Sequence, residues 1–502
     1  MRSRNAIKNL TIYLLYEVMV FILGMIFPRY IILTYGSEIN GLTSTITRLL
    51  SLINLVQAGA VGAAIYQMYK PVAENDYETQ SSIIYSSRCF YNKILIVYSS
   101  LALTGGLFYS FHLRSDTLGF WEILLSFIIL ACNGSFTLYF NSICDIFISP
   151  HQKKYYLTIS AIINQVVYYS LLTIVLLLKL HFIFIYLSIL AGGVTGALLN
   201  IFFYKKLSKG IITSNPRNKN YAIPDRKYLM LSSIGSEAVT ISPQIIISTF
   251  IGLAYTSVFS VYSMVFTSMK TLLNSVQLSL SAIFGNLVKT SDDEHIYEVY
   301  DSIQLFTTLV GTVLSFCVGF LMIPFVKIYT HGVTDIDYVY PLLAFFTVAY
   351  TLIFTFRTSF AYVATVYGLF KFTGTITLAF GGTGIIISTV CSLLFGLPYV
   401  MVGLLVNQLG CACLTLYILK KKVSWFKYGR LFVRSFLMLF ISVLGVVLHY
   451  TLNLSIPTFS IWAGYGFVSA IGVSVVVLIY CFIFERRQLN NMFAYLRTII
   501  GK

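Results

Sequence analysis

The chain has 502 residues, of which 57% are hydrophobic and only 10% are charged. With a mean hydropathy of +0.82, this composition excludes an ordinary soluble protein and an intrinsically disordered one. The formal net charge of +16 would also suit a nucleic-acid-binding protein, but the Lys and Arg residues lie between long apolar segments. This distribution is typical of a polytopic membrane protein and gives no reason to expect a nucleic acid as partner.

About 14 apolar segments of 18 or more residues follow one another, each long enough for a transmembrane helix. The sequence therefore predicts an all-α membrane protein. Its predicted spans are 10–34, 41–68, 89–111, 119–143, 155–178, 182–204, 229–252, 255–286, 303–326, 339–363, 368–394, 398–419, 432–452 and 460–484.

The Lys and Arg residues predict the orientation of these spans, because cytoplasmic connections retain positive charge. Counted over alternate connections, 28 of them fall on one side and four on the other, leaving Arg48 and Lys270 within spans. The side with 28 includes both ends of the chain. We therefore predict that the N-terminus and the C-terminus are cytoplasmic.

A long basic connection at 205–227 divides the spans into two groups of six. We predict an N-lobe at 1–204, a cytoplasmic linker at 205–228, a C-lobe at 229–419, and two further helices with a cytoplasmic tail at 420–502. The two lobes resemble a repeat, since AAIYQMYKP is echoed by SAIFGNLVK and Gly36 by Gly252. Repeats of equal orientation predict a substrate site between the halves.

Arg48 lies inside the second predicted span. Read as one helix from Gly41 to Lys70, the face that bears Arg48 also presents Ser44, Ser51 and Tyr66. A cation at membrane depth costs about 2.5–3.5 kcal/mol, so it should face a bundle interior or a wet cavity. One hypothesis is that Arg48 binds an anionic substrate; the other is that it pairs with a helical carboxylate such as Glu17.

Lys270 lies in the eighth span, the counterpart of the second. Two cations in a polar cavity suit a pyrophosphate, to which Arg offers paired contacts and Lys a point charge. The alternative is that the polar stripe serves helix packing. The same helical face as Lys270 carries Ser263, Thr267, Asn274 and Gln277.

Two carboxylates, Glu17 and Glu237, lie near the start of each six-span unit. Each either neutralises a cation of its own half or couples transport to H⁺ or Na⁺. The six histidines show no metal-ligand spacing, and no phosphate-binding loop or nucleophile elbow is present in the sequence. We therefore predict no metal site, no cofactor and no enzymatic activity.

The N-terminal region resembles the opening of the Wzx-type polysaccharide flippases, members of the MOP exporter superfamily. The resemblance extends over about residues 1–95 and is architectural beyond them. It rests on Pro28 and Arg29 at the end of the first span, Gly36, Glu38 and Gly41 in the turn, and Tyr69, Lys70 and Pro71 at the end of the second. The related lipid II flippases are similar in placing basic residues where Arg48 and Lys270 stand, although this chain has Lys in the eighth helix instead of Arg.

This resemblance implies a MATE-like fold of two six-helix lobes in a bacterial plasma membrane. It also implies that undecaprenyl-diphosphate-linked oligosaccharides are moved to the outer leaflet for O-antigen or capsule synthesis. Partners would then include membrane lipids, a polysaccharide polymerase and glycosyltransferases. Two alternatives remain: a drug or cation antiporter of the same fold, and a membrane-bound polymerase or ligase of lipid-linked glycans.

Overall fold

The computed structural model describes residues 2–57, 60–113, 117–213, 226–288, 292–452 and 456–492. Within these ranges the chain is helical, with sixteen α-helices and no strand. The first nine are α1 Arg2–Tyr35, α2 Ser37–Ile53, α3 Ala60–Ala73, α4 Tyr77–His112, α5 Phe120–Phe136, α6 Ser142–Ile148, α7 Tyr155–Leu177, α8 Ile183–Ser208 and α9 Arg226–Phe250. The other seven are α10 Leu253–Leu287, α11 Asp293–Tyr329, α12 Pro341–Val366, α13 Phe370–Phe395, α14 Val400–Lys422, α15 Gly429–Leu452 and α16 Phe459–Phe484.

The predicted all-α membrane architecture is confirmed. Within the described residues, 11 helical segments are long and apolar enough to cross a membrane. These segments coincide with eleven of the predicted spans. The other three predicted spans, the second, seventh and eighth, fall on α2 with α3, on α9 and on α10. Those three carry Arg48, Glu237 and Lys270.

The chain forms two compact units, Met1–Ser257 and Val258–Lys502. Helix α9, the seventh predicted span, groups with the first unit, where it packs on α2. Half of the predicted linker, residues 214–225, lies outside the described residues. The end of the predicted cytoplasmic tail, residues 493–502, does so as well.

Each unit has its own buried apolar core, which fixes the helices that carry polar side chains. In the first unit, Leu42 of α2 packs with Ile83 and Tyr98 of α4 and Phe127 of α5, and all four are at most 1% exposed. The second unit has one cluster around Tyr300, Phe360 and Trp425. Another cluster joins α11, α15 and α16 through Phe316, Phe320, Ile441 and Val473.

The second predicted span is interrupted, so its prediction as one continuous helix is wrong. Helix α2 ends at Ile53, a 3₁₀ turn occupies Asn54–Gln57, and α3 begins at Ala60. Tyr66 therefore lies beyond a break in the helix that holds Arg48, and it does not share a continuous helical face with that residue. Its side chain is 74% exposed.

Two glycines open the equivalent helices of the predicted repeat. Gly36 precedes α2 with φ of 86° and Gly252 precedes α10 with φ of 143°. Both values lie in the region that favours glycine over residues with a side chain. Both glycines thus have a positive φ, and the predicted repeat stays a prediction.

Candidate functional site

Arg48 is half-buried on α2, five residues before the end of that helix. Its Nε donates a hydrogen bond of 2.6 Å to Oε1 of Gln244 on α9. Gln244 is only 4% exposed and lies where α9 packs on α2. Because the two residues are 196 positions apart, the packing of α9 against α2 is what positions the guanidinium.

No carboxylate within the described parts of the chain lies at salt-bridge distance from Arg48. A guanidinium has five N–H donors, and Gln244 takes one of them. The two terminal amino groups together can form the paired contact that arginine makes with phosphate oxygens. The guanidinium of Arg48 is thus held in place, and its two terminal amino groups form no ion pair with a carboxylate of the described residues.

The two candidate coupling carboxylates have different surroundings. Glu237 is exposed on α9 and acts electrostatically on Arg48 from beyond salt-bridge distance. Glu17 is half-buried on α1, one helical turn after Tyr13. Among the described residues, Glu237 and not Glu17 is the carboxylate that acts electrostatically on Arg48. The hypothesis that Glu17 pairs with Arg48 is wrong.

Hydroxyl groups on α2 donate to their own helix. The Ser51 hydroxyl donates to the carbonyl oxygen of Thr47 at 2.7 Å, and Thr47 donates to that of Thr43, also at 2.7 Å. Ser44 is half-buried on the same helix. A hydroxyl that donates to the preceding turn keeps its lone pairs as acceptors. The polar face of α2 can therefore accept hydrogen bonds from sugar hydroxyls.

The polar stripe of the second unit lies on α10. Ser263 is buried and donates to the carbonyl oxygen of Ser260 at 2.9 Å. Thr267, Lys270, Asn274 and Gln277 are half-buried. Partial exposure distinguishes these four side chains from residues sealed in helix packing. Arg48 belongs to the first unit and Lys270 to the second, and a chamber shared by both stays a prediction.

The prediction that Arg48 and Lys270 are the basic residues left within spans is wrong. Arg357 lies well inside α12, where its Nη1 donates to Oε1 of Gln408 at 2.8 Å. Arg434 lies in α15 and is 1% exposed. Both lie inside predicted spans, 339–363 and 432–452, although the charge count places them with the neighbouring connections. The apolar residues that flank them, as in LFVRSFLML, are the signal that could have identified Arg434.

A cavity of about 320 Å³ lies within the first unit. Tyr13 and Tyr16 of α1 line it together with Asp145, Asn164 and Asn200 from α6, α7 and α8. Glu17 does not line this cavity, but it follows the lining residue Tyr13 by one turn of α1. Asp145 and Lys154 both line the cavity, so it carries one carboxylate and one ammonium group.

No family model and no curated protein sequence matches the chain. Among solved structures, it is similar to the lipid II flippase MurJ in its inward closed conformation, with TM-score 0.66 and 15% identity over 95% of this chain and 99% of the other. It is also similar to an inward-facing multidrug resistance MATE transporter of the MOP superfamily, with TM-score 0.63 and 11% identity over 79% and 94% of the chains. The eukaryotic MATE transporter AtDTX14 matches with TM-score 0.53 and 15% identity over 86% and 98%. The chain is thus a multi-pass membrane protein with the fold that MurJ and the MATE transporters share.

Proposed function

We propose that this protein is a flippase for undecaprenyl-diphosphate-linked oligosaccharide repeat units. It moves them from the cytoplasmic to the outer leaflet of a bacterial plasma membrane, where they supply O-antigen or capsule synthesis. Two findings support the transporter class. The chain is similar over nearly its whole length to a lipid II flippase, and its fold is also that of MATE transporters. Neither kind of neighbour is described as an enzyme.

The geometry of Arg48 carries the choice of an anionic cargo. Its guanidinium is half-buried and anchored to a neutral amide, and its terminal amino groups face no carboxylate at salt-bridge distance among the described residues. A partly desolvated arginine that is not neutralised by a direct ion pair stabilises a bound anion strongly. A diphosphate presents the oxygens that such an arginine binds in pairs.

The proposed transport cycle is alternating access. The diphosphate leaves the cytoplasmic leaflet and binds Arg48 and then Lys270, while the glycan contacts the hydroxyl and amide groups of α2 and α10. The polyprenyl chain stays in the lipid. Movement of the two units then exposes the cargo to the outer side. Alternating access requires that the cargo is bound only transiently. Two separate cations, each binding the diphosphate weakly, meet this requirement better than one enclosed site.

An ion gradient supplies the direction of this cycle in our proposal. In this scheme Glu237 responds to the occupancy of Arg48, and its electrostatic effect on that guanidinium supports this role. Asp145 lines the cavity of the first unit, and Glu17 lies one turn of α1 beyond the lining residue Tyr13. Protonation or Na⁺ binding at these carboxylates would alter the charge in this region. Coupling by H⁺ and coupling by Na⁺ predict different responses of transport to pH and to sodium.

A drug or cation antiporter is the competing function, because MATE transporters share the fold. Arg48 disfavours it, since an unneutralised guanidinium repels a cationic drug from its surroundings. Uptake of a cationic dye into inverted vesicles tests the alternative, and proton-driven or sodium-driven accumulation would support it over flipping.

The proposal is tested in cells that depend on this protein for surface polysaccharide. We expect Arg48→Ala and Lys270→Ala to accumulate lipid-linked repeat units on the cytoplasmic leaflet and to lose most surface polysaccharide. Arg48→Lys should retain partial activity, because it keeps the charge and loses the paired contact. Lys70→Ala is the matched control, since Lys70 has an 82% exposed side chain on α3. Unchanged surface polysaccharide in both alanine variants, at normal membrane abundance, would contradict the proposal.

A further inference from the structure

A second cavity, unrelated to the proposed cargo site, opens within the second unit. Its volume is about 490 Å³, which falls in the range of small-molecule sites. The first turns of α11 form one wall, and the segment before α15 forms another. The residues that follow α16 complete it with Arg487, Gln488 and Asn491.

A buried ionic cluster beneath this cavity fixes its walls. Arg434 of α15 is 1% exposed and pairs with Asp301 of α11 at 2.8 Å. Its Nε also donates to both carboxylate oxygens of Glu485, at 3.0 and 2.9 Å, just after the end of α16. Arg430, one turn before Arg434, forms an ion pair with the same Asp301. Two arginines and two carboxylates balance each other there, so the base of the cavity is electrically neutral and joined to three helices.

The rim of the cavity carries both signs of charge. Its acidic part is the first turn of α11, with Asp293 and Glu294. Lys427 stands next to it, with Nζ 5.2 Å from the ring centre of Tyr297. Tyr297 is one helical turn, about 5–6 Å, from Asp293 and Glu294. Positive and negative groups thus face the cavity about one turn apart.

A ligand of a single charge would meet groups of its own sign on this rim. A dipolar ligand would satisfy both, with its cation toward Asp293 and Glu294 and its anion toward Lys427 and Arg487. Arg487 forms an ion pair with Glu298 of α11, on the facing wall. This pairing lowers the positive potential that Arg487 offers to a ligand and leaves Lys427 as the main anion contact. The rim therefore selects a molecule whose ammonium and anionic groups are only a few atoms apart.

The position of the cavity at the ends of apolar helices predicts that it lies at the level of lipid headgroups. Arg430 is the second residue of α15 and Arg487 follows the end of α16 by three residues, and both helices are apolar enough to span a membrane. Next to these charged ends, Phe432 is 52% exposed and Phe482 is 59% exposed. Such phenylalanines contact acyl chains while the charged residues meet headgroups. The charge distribution along the chain predicts that this is the cytoplasmic side.

We infer that this cavity binds the headgroup of a zwitterionic phospholipid with a primary amine, of the phosphatidylethanolamine type. The ammonium donates hydrogen bonds to Asp293 and Glu294, and the phosphate, two carbons away, accepts from Lys427. A quaternary amine has no N–H to donate, so a choline headgroup fits this site less well. This inference is independent of which cargo the protein moves.

The test measures binding of short-chain lipids to the full-length protein purified in detergent, by native mass spectrometry. We expect dioctanoyl phosphatidylethanolamine to bind at least about tenfold more tightly than the choline or glycerol analogues, because charge-assisted hydrogen bonds are lost in each. Glu294→Gln and Lys427→Gln should each remove this preference. Lys421→Gln is the matched control, because Lys421 is exposed at the end of α14 and does not line the cavity.

Equal binding of the ethanolamine and choline lipids, or tighter binding of the glycerol lipid, would overturn the inference. An equal loss of the preference for the ethanolamine lipid in Lys421→Gln and Lys427→Gln would also overturn it, because it would indicate a general effect of surface charge. A further arm uses soluble phosphoethanolamine, which has the same headgroup without acyl chains. Binding weaker than that of the lipid supports a membrane source, and tighter binding would overturn the assignment to a lipid.

Discussion

Arg434 is the most deeply buried cation within the described parts of the chain. Its contribution to stability depends on the pairing of its whole guanidinium. It contacts two carboxylates, Asp301 and Glu485, and it also donates to Gln304. Breaking a buried pair costs about 3–5 kcal/mol, because the remaining charge is left without a partner. We therefore expect Arg434→Met to destabilise the protein by about that amount. Chemical unfolding in mild detergent measures the change in free energy.

Arg487→Met is the control for this prediction. The Arg487 side chain is 77% exposed and pairs with Glu298, and exposed pairs contribute only about 0–1 kcal/mol. Replacing Arg434 and Glu485 together with apolar residues should cost less than the sum of the two single losses. Equal destabilisation by Arg434→Met and Arg487→Met would show that the buried cluster has no special role.

Single residues differed in how well the sequence identified them. Arg48 was easy to identify, because it is a cation inside an apolar segment. Its partner Gln244 could not be identified from the sequence, because it is 196 positions away and is an ordinary amide. Arg434 was assigned to a connection, since it follows Arg430 by one turn and both stand near the start of an apolar segment. Only the packing of α15 on α11 separates the buried arginine from the exposed one.

At the scale of elements, helix α4 begins with a side-chain cap. The Asp76 carboxylate accepts a hydrogen bond of 3.0 Å from the backbone N–H of Thr79. Hydrogen bonds from Thr79 hold the pKa of Asp76 below its ordinary value of 3.8. Because the folded state lowers this pKa, the ionised carboxylate stabilises the helix at neutral pH, and that contribution is lost as the pH falls below about 3.8.

We expect Asp76→Ala to weaken the start of α4 by about 1 kcal/mol, the usual value of an N-cap. Amide hydrogen exchange of the peptide 77–84 measures this locally and should be faster in the variant. Asp76→Asn is the matched control, because asparagine also caps helices well. The difference between wild type and Asp76→Ala should shrink when the pH is lowered toward 3. Unchanged exchange in Asp76→Ala would contradict the role of the cap.

The ends of elements were harder to predict than their existence. Apolar length predicted the ends of α7 and α16 within one residue, because a helix in lipid must satisfy its backbone internally. The break after Ile53 was missed, since the residues on both sides of it are equally apolar. The turns at Gly36 and Gly252 were located correctly, because glycine marks positions that need positive φ.

At the scale of the whole molecule, hydropathy alone predicted the all-helical membrane fold. Its helices were predictable because the bilayer restricts the spanning structures to very few kinds. The boundary between the two compact units was not predictable in this way, because helix α9 groups with the first unit through its packing on α2. That packing depends on side chains such as Gln244, whose partner no local pattern indicates.

Transport of the cargo is a property of the whole molecule, and it requires a cation from each unit in our proposal. Arg48 is positioned by α9, whereas Lys270 lies on α10 among half-buried polar side chains. Loss of either charge should therefore impair movement of a diphosphate cargo more than movement of a neutral lipid. The effect of removing both should exceed that of either alone.

The most direct test is flipping of a fluorescent undecaprenyl-diphosphate-linked oligosaccharide in liposomes that contain the purified protein, followed by quenching from outside. We predict transport by the wild-type protein and a loss of at least about tenfold in Arg48→Ala and in Lys270→Ala, because each removes a charge-assisted contact to the diphosphate. Transport at the wild-type rate by both variants, or none by the wild-type protein, would contradict the claim that these cations carry the cargo.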